Sequence, residues 1–379
     1  MKKILLINTK YREFGGEDSN IDEELKFLKK FYIVEYLEFK NSEKIKLSDI
    51  YSFLFQTNFV SNKILKDKLN SFNPDVVYIH NTWFKAGLGI FKILNTFDCQ
   101  VVLKIHNFRY YCTQSFIAKK HLNNKKFCFK CGFSGSFFNK YYKESVLKSI
   151  AIILYSKKYL KILQKKNIKI LTLNKFHKKN LMNLNVPDSN IHIFYNPLNL
   201  SFLKSDYNPE SKYLVYAGRI SESKGVNHLL DSWNSAQLNK LELRIIGDGN
   251  IKKNLEDKYQ FKNIRFMGQL SNTEVLEQIK NSKAVITATK MEEGQPRILN
   301  EASILGVPSI FPDFGGMSEY FPKNYFLSFE QYNYQDLIMK LQKLTEKDEL
   351  LNISNEILAY SNKILDYDVL IEEFEKILK

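Results

Sequence analysis

Short β-like apolar runs alternate along the chain with stretches of helical spacing, a pattern that predicts parallel sheets joined by crossover helices. In the first half the runs are Lys3–Asn8, Asp75–His80, Gln100–His106 and Lys169–Leu173. Helical stretches lie between them, including Ile21–Lys30. A second set follows Asn196-Pro197, with runs at Tyr213–Ala217, Leu241–Ile246, Ile264–Met267, Ala284–Thr287 and Ser309–Phe311. Helices fit between these near Gly225–Ala236, Asn250–Lys258, Thr273–Lys280 and Arg297–Leu305. The turn-rich stretch 196–212 separates the two sets, and the last ~45 residues read as helices. The expected architecture is α/β: two Rossmann-like, doubly wound domains facing across a cleft, with ligands at the carboxyl ends of the strands.

Composition narrows the class. The chain has 379 residues, 44% hydrophobic and 26% charged, enough for about two domains with real cores. No apolar run approaches the ~18 residues of a membrane-spanning helix. The start, Met1-Lys2-Lys3-Ile4-Leu5-Leu6-Ile7, has too short an apolar region for a signal peptide and reads as a first buried strand. Four cysteines exclude a disulfide scaffold and suggest a reducing compartment.

The net charge of +15 is unevenly placed. Lys119–Lys179 holds 17 Lys and one acidic residue, Glu144, so the rest of the chain sums to −1. Aromatic and apolar residues interleave with these lysines, and the helical spacing of Val146, Ile150, Ile153 and Leu154 holds for two turns, then breaks at Lys157-Lys158. An anionic membrane surface suits this segment, each nearby Lys contributing about 1 kcal/mol. A solvated basic face and nucleic-acid binding are the alternatives, and no nucleic-acid-binding signature supports the latter.

Candidate chemistry clusters in the second half. Gly218-Arg219-Ile220-Ser221-Glu222-Ser223-Lys224-Gly225 leads from a strand into a helix, where free N–H groups and two cations suit a diphosphate. An ordinary βα loop with two solvated cations reads equally well from these residues alone. Gly247-Asp248-Gly249 closes the next strand. Glu293 and Glu301 stand eight residues apart, one in a loop before a helix and one inside it. Such a pair suits sugar hydroxyls, with the diol of a ribose on Glu301. Glu292 competes with Glu293, but its partner at the same spacing is Asn300. Gly306-Val307-Pro308 and Gly315-Gly316-Met317-Ser318-Glu319 follow.

In this order and spacing the motifs resemble the donor half of a retaining glycosyltransferase of family 4, among the glycosyl transferases group 1, with the GT-B fold. The resembling features are the Gly-Arg…Lys-Gly loop, the Gly-Asp-Gly turn, Phe266-Met267-Gly268, the two glutamates, Gly-x-Pro and Gly-Gly-x-x-Glu. In the first half, Gly15-Gly16-Glu17-Asp18 resembles the family's phosphate-side glycine loop, and His106-Asn107-Phe108-Arg109 its active-site histidine motif. The resemblance implies an acceptor-side domain over 1–196, with a helix about 367–379 packing back on it, and a donor-binding domain over 197–366.

It also implies roles. Arg219 and Lys224 would hold the leaving diphosphate, Glu301 the ribose and Glu293 the transferred sugar. Gly15, Gly16, Gly218, Gly247 and Gly268 would line the nucleotide, and His106 would orient the donor sugar. The nucleotide-diphosphate sugar, UDP- or GDP-linked, is a substrate, and no cofactor is expected. No metal is expected either, because Asp366-Tyr367-Asp368 sits at the start of the helical tail rather than at a strand end. Cys112, Cys128 and Cys131, with His121 in the same loop, have spacing compatible with zinc, and three reduced thiols are the alternative. The implied activity is sugar transfer to a polysaccharide or lipid-linked oligosaccharide at the cytoplasmic face of the membrane. A non-hydrolysing nucleotide-sugar epimerase, or a non-catalytic basic glycan- or nucleic-acid-binding protein, would use the same scaffold.

Overall fold

A computed structural model describes residues 1–10, 16–41, 52, 55, 57–83, 85–108, 146–198, 206–260 and 263–379. The chain forms two compact units, Met1–Leu198 with Tyr367–Lys379, and Asn199–Asp366.

The first unit is built on a parallel sheet of order β2-β1-β3-β4-β5-β6. Its strands are β1 (Lys3–Lys10), β2 (Ile33–Lys40), β3 (Val76–Ile79), β4 (Gln100–Ile105), β5 (Ile168–Thr172) and β6 (Ile191–Ile193). β1 is apolar on both faces, as a strand covered on both sides must be. Leu5 and Ile7 enter one core with Leu65, Phe91 and Leu163. Ile4 and Leu6 enter the other with Phe27, Tyr78, Phe194 and Phe374. The helix Tyr367–Leu378 supplies Leu370, Phe374 and Ile377 to that second core, a face at helical spacing. Lys2 and Lys169 donate to its last carbonyls, on Leu378 and Ile377, where cations complement a helix end.

The second unit has a parallel sheet of order β12-β11-β10-β7-β8-β9. Its strands are β7 (Tyr213–Ala217), β8 (Glu242–Ile246), β9 (Ile264–Gly268), β10 (Ala284–Ile286), β11 (Ser309–Asp313) and β12 (Ser328–Glu330). The chain runs outward through β7, β8 and β9, then returns to lay β10 against the other edge of β7. The order therefore reverses between β7 and β10, the point in such sheets where loops diverge and leave a crevice.

One expectation changes. The helix Val146–Leu163 does not break at Lys157-Lys158. Tyr155, Ile162 and Leu163 carry a buried face past them, while Lys157 is exposed and Lys158 reaches Phe55 O at 3.5 Å. Within the basic segment, Lys169 serves the helix end above, and Lys178 pairs with Asp188 at 2.7 Å. Residues 119–145, with Cys112, Cys128, Cys131 and His121, lie outside the described residues, as does Gly15.

Candidate functional site

In the second unit the loops after β7 and β10 meet at the switch point. Gly225 (φ 66°) opens the helix Val226–Ala236, and a Cβ there would sit 1.9 Å from the Ala288 carbonyl oxygen. Only glycine fits both that backbone and that approach. Gly247 (φ 132°) is similarly constrained, since its Cβ would meet the Gly218 carbonyl oxygen at 2.0 Å. Backbone bonds tie the neighbouring loop ends, Ile220 N–H to Asp248 at 2.8 Å and Gly247 N–H to Gly268 at 2.8 Å. The structure thus brings Gly218, Gly247 and Gly268 together at the carboxyl ends of β7, β8 and β9.

Two charged side chains meet across these loops. Lys224 forms an ion pair with Glu293 Oε1, and Thr289 Oγ1 donates to that oxygen at 3.4 Å. Arg219 lies exposed in the same loop. Pro296 precedes the helix Arg297–Ile304, whose first residue donates from Nε to Glu301 Oε1 at 2.7 Å. Glu301 is 3% exposed, so its charge is held among buried neighbours rather than on a wet face. Tyr320 donates its hydroxyl to Gly294 O at 2.8 Å and pins the loop that carries Glu293. Lys224 and Glu293 thus meet at the carboxyl ends of β7 and β10, and Arg297 and Glu301 form a second pair in the helix that follows, cations and carboxylates of the kind that suit an anion and hydroxyls.

Glu292 does something else. Its Oε2 is buried without a hydrogen-bond partner among the described residues, and its side chain packs against Gly315. Burial pushes its carboxyl up to about 8.

In the first unit the order reverses between β1 and β3, and His80 follows β3 there. Asn81 fixes this turn by donating from Nδ2 to Thr9 O at 2.7 Å and accepting from Trp83 N–H at 3.0 Å. His106 follows β4, and its Nε2 is 2.8 Å from His80 Nδ1. Both border a cavity of about 20 Å³ shared with Thr82, Trp83, Asn107 and Tyr155, room for about one water. Burial, then the other's ring and Lys104, holds His106 well below the usual histidine range; burial, then Lys104, does so for His80. Behind them lies a buried ion pair, Lys104 Nζ to Glu24 Oε1 and Oε2 at 3.0 and 2.9 Å. Tyr78 also donates to Glu24 Oε1. Gly16 begins the helix Gly16–Phe31 that carries Glu24.

Sequence reasoning missed Arg297, His80, Glu24 and Lys104. His80 ends a predicted strand just as His106 does, and that shared position was the available signal. Glu24 and Lys104, 80 residues apart, look like ordinary helix and strand charges.

Residues 178–357 match the family model described as Glycosyl transferases group 1. This segment belongs to that family. The group 1 segment contains every second-unit residue named in this site. AmsD of Erwinia amylovora, an amylovoran biosynthesis glycosyltransferase by name, is 26% identical over 122 residues, or 32% of this chain and 35% of that protein. TuaC of Bacillus subtilis (strain 168), provisionally named a teichuronic acid biosynthesis glycosyltransferase, is 30% identical over 115 residues, or 30% of this chain and 28% of that protein. The chain thus spans about a third of the length of either curated relative. A solved structure of Anabaena Alr3699/HepE in complex with UDP and glucose covers 100% of this chain and 99% of its own, with TM-score 0.69 and 13% identity. That likeness concerns the fold, which is GT-B.

Proposed function

We propose that the chain is a retaining, metal-independent glycosyltransferase. It moves a sugar from a UDP- or GDP-linked donor to a polysaccharide or lipid-linked oligosaccharide in cell-surface glycan synthesis. The observation that carries this reading is the Lys224–Glu293 pair at the switch point of the group 1 segment, with Glu301 buried in the helix that follows Glu293. Lys224 and Arg219 offset charge on the leaving diphosphate as the sugar–phosphate bond breaks. Glu293 takes hydroxyls of the transferred sugar and Glu301 those of the ribose. A donor phosphate oxygen accepts the acceptor's proton, so no protein nucleophile is required. The UDP and glucose in HepE make UDP-glucose the first donor to try. The biosynthetic names of AmsD and TuaC support a glycan acceptor.

The acceptor side works at an anionic membrane surface on the cytoplasmic face. Leu154, Phe55, Phe59 and Val60 are exposed apolar residues of the first unit, and Lys158 reaches Phe55 O at 3.5 Å among further lysines. Among the described residues no helix is long and apolar enough to cross a membrane. Liposome flotation without dependence on anionic lipid would remove this part.

Thermal shift with UDP, GDP, ADP and their common sugars tests the donor site. A ligand at 100 times its dissociation constant adds roughly 2.7 kcal/mol. One nucleotide class should stabilise the wild type, and Glu301→Ala should lose that shift. No shift with any nucleotide overturns the reading.

A further inference from the structure

The His80–His106 contact has a definite geometry. The ring centroids are 5.0 Å apart, the planes differ by 19°, and the nitrogens are 2.8 Å apart. A centroid separation this close to the longest that the short contact permits places the rings nearly edge to edge, with one N–H aimed along the other's lone pair. One proton sits between them, and the question is which ring owns it.

The far side of His80 decides. Its Nε2 faces Glu24 Oε2 at 4.0 Å. Glu24 is a buried carboxylate that receives Lys104 on both oxygens and Tyr78 on one. Lys104 has three N–H groups, and these go to Glu24 Oε1, Glu24 Oε2 and, at 3.4 Å, Tyr195 O. None is left for His80. A proton on His80 Nε2 therefore faces an acceptor, whereas a lone pair there faces negative charge. With Nε2 protonated, neutral His80 accepts at Nδ1, and His106 donates from Nε2. His106 Nδ1 is then a bare lone pair. It is buried, and among the described residues it has no hydrogen-bond partner.

We propose that His80 is a positioning residue that, backed by Glu24, fixes His106 as its Nε2–H tautomer, so that His106 Nδ1 accepts a hydrogen bond from a sugar hydroxyl. This rests on the transferase reading for the ligand alone; the tautomer is a property of the free protein. The ligand class follows from the polarity of the nitrogen. An acceptor here selects a hydroxyl and rejects a carboxylate or phosphate oxygen at that spot. The Glu24–Lys104 pair gains a purpose beyond packing, since a buried ion pair is weak evidence for stability by itself.

Histidine-labelled protein gives the test through long-range nitrogen–proton NMR, with His80 and His106 assigned from single variants. In the wild type, His106 should show a protonated Nε2 and an unprotonated Nδ1. His80→Asn, whose carbonyl can accept in place of Nδ1, should keep that tautomer. His80→Phe should lose it and lower kcat roughly 10- to 100-fold with the donor KM unchanged. A protonated Nδ1 in the wild type overturns the proposal, and so does a tautomer that His80→Phe leaves intact. If no nucleotide sugar supports transfer, the transferase reading falls while the spectrum still reports the tautomer. Absence of any hydroxyl ligand that shifts the Nδ1 signal would then overturn the ligand half.

Discussion

Lys224 and Glu293, 69 residues apart, close an ion pair between the loop after β7 and the loop after β10. Both come from motifs that look independent along the chain. In the fold they neutralise each other where an anion would bind. On the proposed function, a diphosphate arriving there would compete with Glu293 for Lys224 and free the carboxylate for sugar hydroxyls.

Lys224→Ala should therefore separate stability from activity. The two side chains are 29% and 24% exposed, so the pair contributes no more than about 1 kcal/mol to folding. Its loss from a developing diphosphate should lower kcat roughly 100- to 1,000-fold. Melting curves and steady-state rates on one preparation check this; near-normal turnover would remove Lys224 from the reaction.

Glu301 is more costly to disturb. Its side chain is 4% exposed and pairs with Arg297 at 15% exposure. Glu301→Ala leaves Arg297 without that carboxylate in a dry site and should destabilise by about 3 kcal/mol, with Glu301→Gln milder at about 1–2 kcal/mol. Denaturant unfolding gives these values. Nucleotide shifts must then be read against each variant's own unliganded melting point.

The glycines make a graded series. Gly225→Ala meets the Ala288 carbonyl at 1.9 Å with φ at 66° and should cost about 2–4 kcal/mol, the sum of a left-handed backbone and a clash. Gly268 has φ 71° but nothing within 4 Å of a Cβ, so Gly268→Ala should cost about 1 kcal/mol. Equal losses in urea unfolding would contradict the close approach at Gly225.

Glu292 sets a pH dependence. Its carboxyl, raised to about 8 by burial, stays protonated in the folded chain at neutral pH and ionises on unfolding. The folded state then holds the extra proton, so this contribution to stability is full below the ordinary carboxylate range, near 4.5, and is lost as pH rises towards 8. Glu292→Gln should flatten the wild type's decline in Tm between pH 5 and 8. A slope unchanged by the substitution would assign the decline elsewhere.

The buried pair of the first unit behaves differently from Lys224–Glu293. Lys104 and Glu24 are both fully buried. Lys104→Met alone strands a carboxylate and should cost about 3–5 kcal/mol, whereas adding Glu24→Gln should restore most of that loss. Additive losses in chemical unfolding would mean that the two do not interact.

Most strands that sequence reasoning found are buried on both faces, such as Ile4-Leu5-Leu6-Ile7 and Leu214-Val215-Tyr216, and the edge strand β9 was found although only Ile264 in it is buried, because Ile264, Phe266 and Met267 are apolar. β2, Ile33–Lys40, escaped because Glu35 and Glu38 interrupt it and because, as an edge strand, most of it is only half-buried. β6 and β12 are three-residue edge strands that are only partly buried, whereas the equally short β10 lies inside its sheet, is buried throughout and reads as an apolar run. The site divides the same way. Glu293 and Glu301 share one short segment, so their spacing is visible. Lys224–Glu293, Glu24–Lys104 and His80–His106 are created by strand order, and nothing local in the chain marks them as partners.

The helix Tyr367–Leu378 also governs how the protein can be made. Phe374, fully buried against Tyr32, Tyr78 and Phe194, belongs to the first unit but leaves the ribosome after the whole of 199–366. During synthesis the first unit must wait with that apolar face of its sheet open, while the second unit can already fold. Nascent chains stalled before residue 367 should therefore be the aggregation-prone and chaperone-bound form. A swap of this helix between two molecules is the natural error of such a fold.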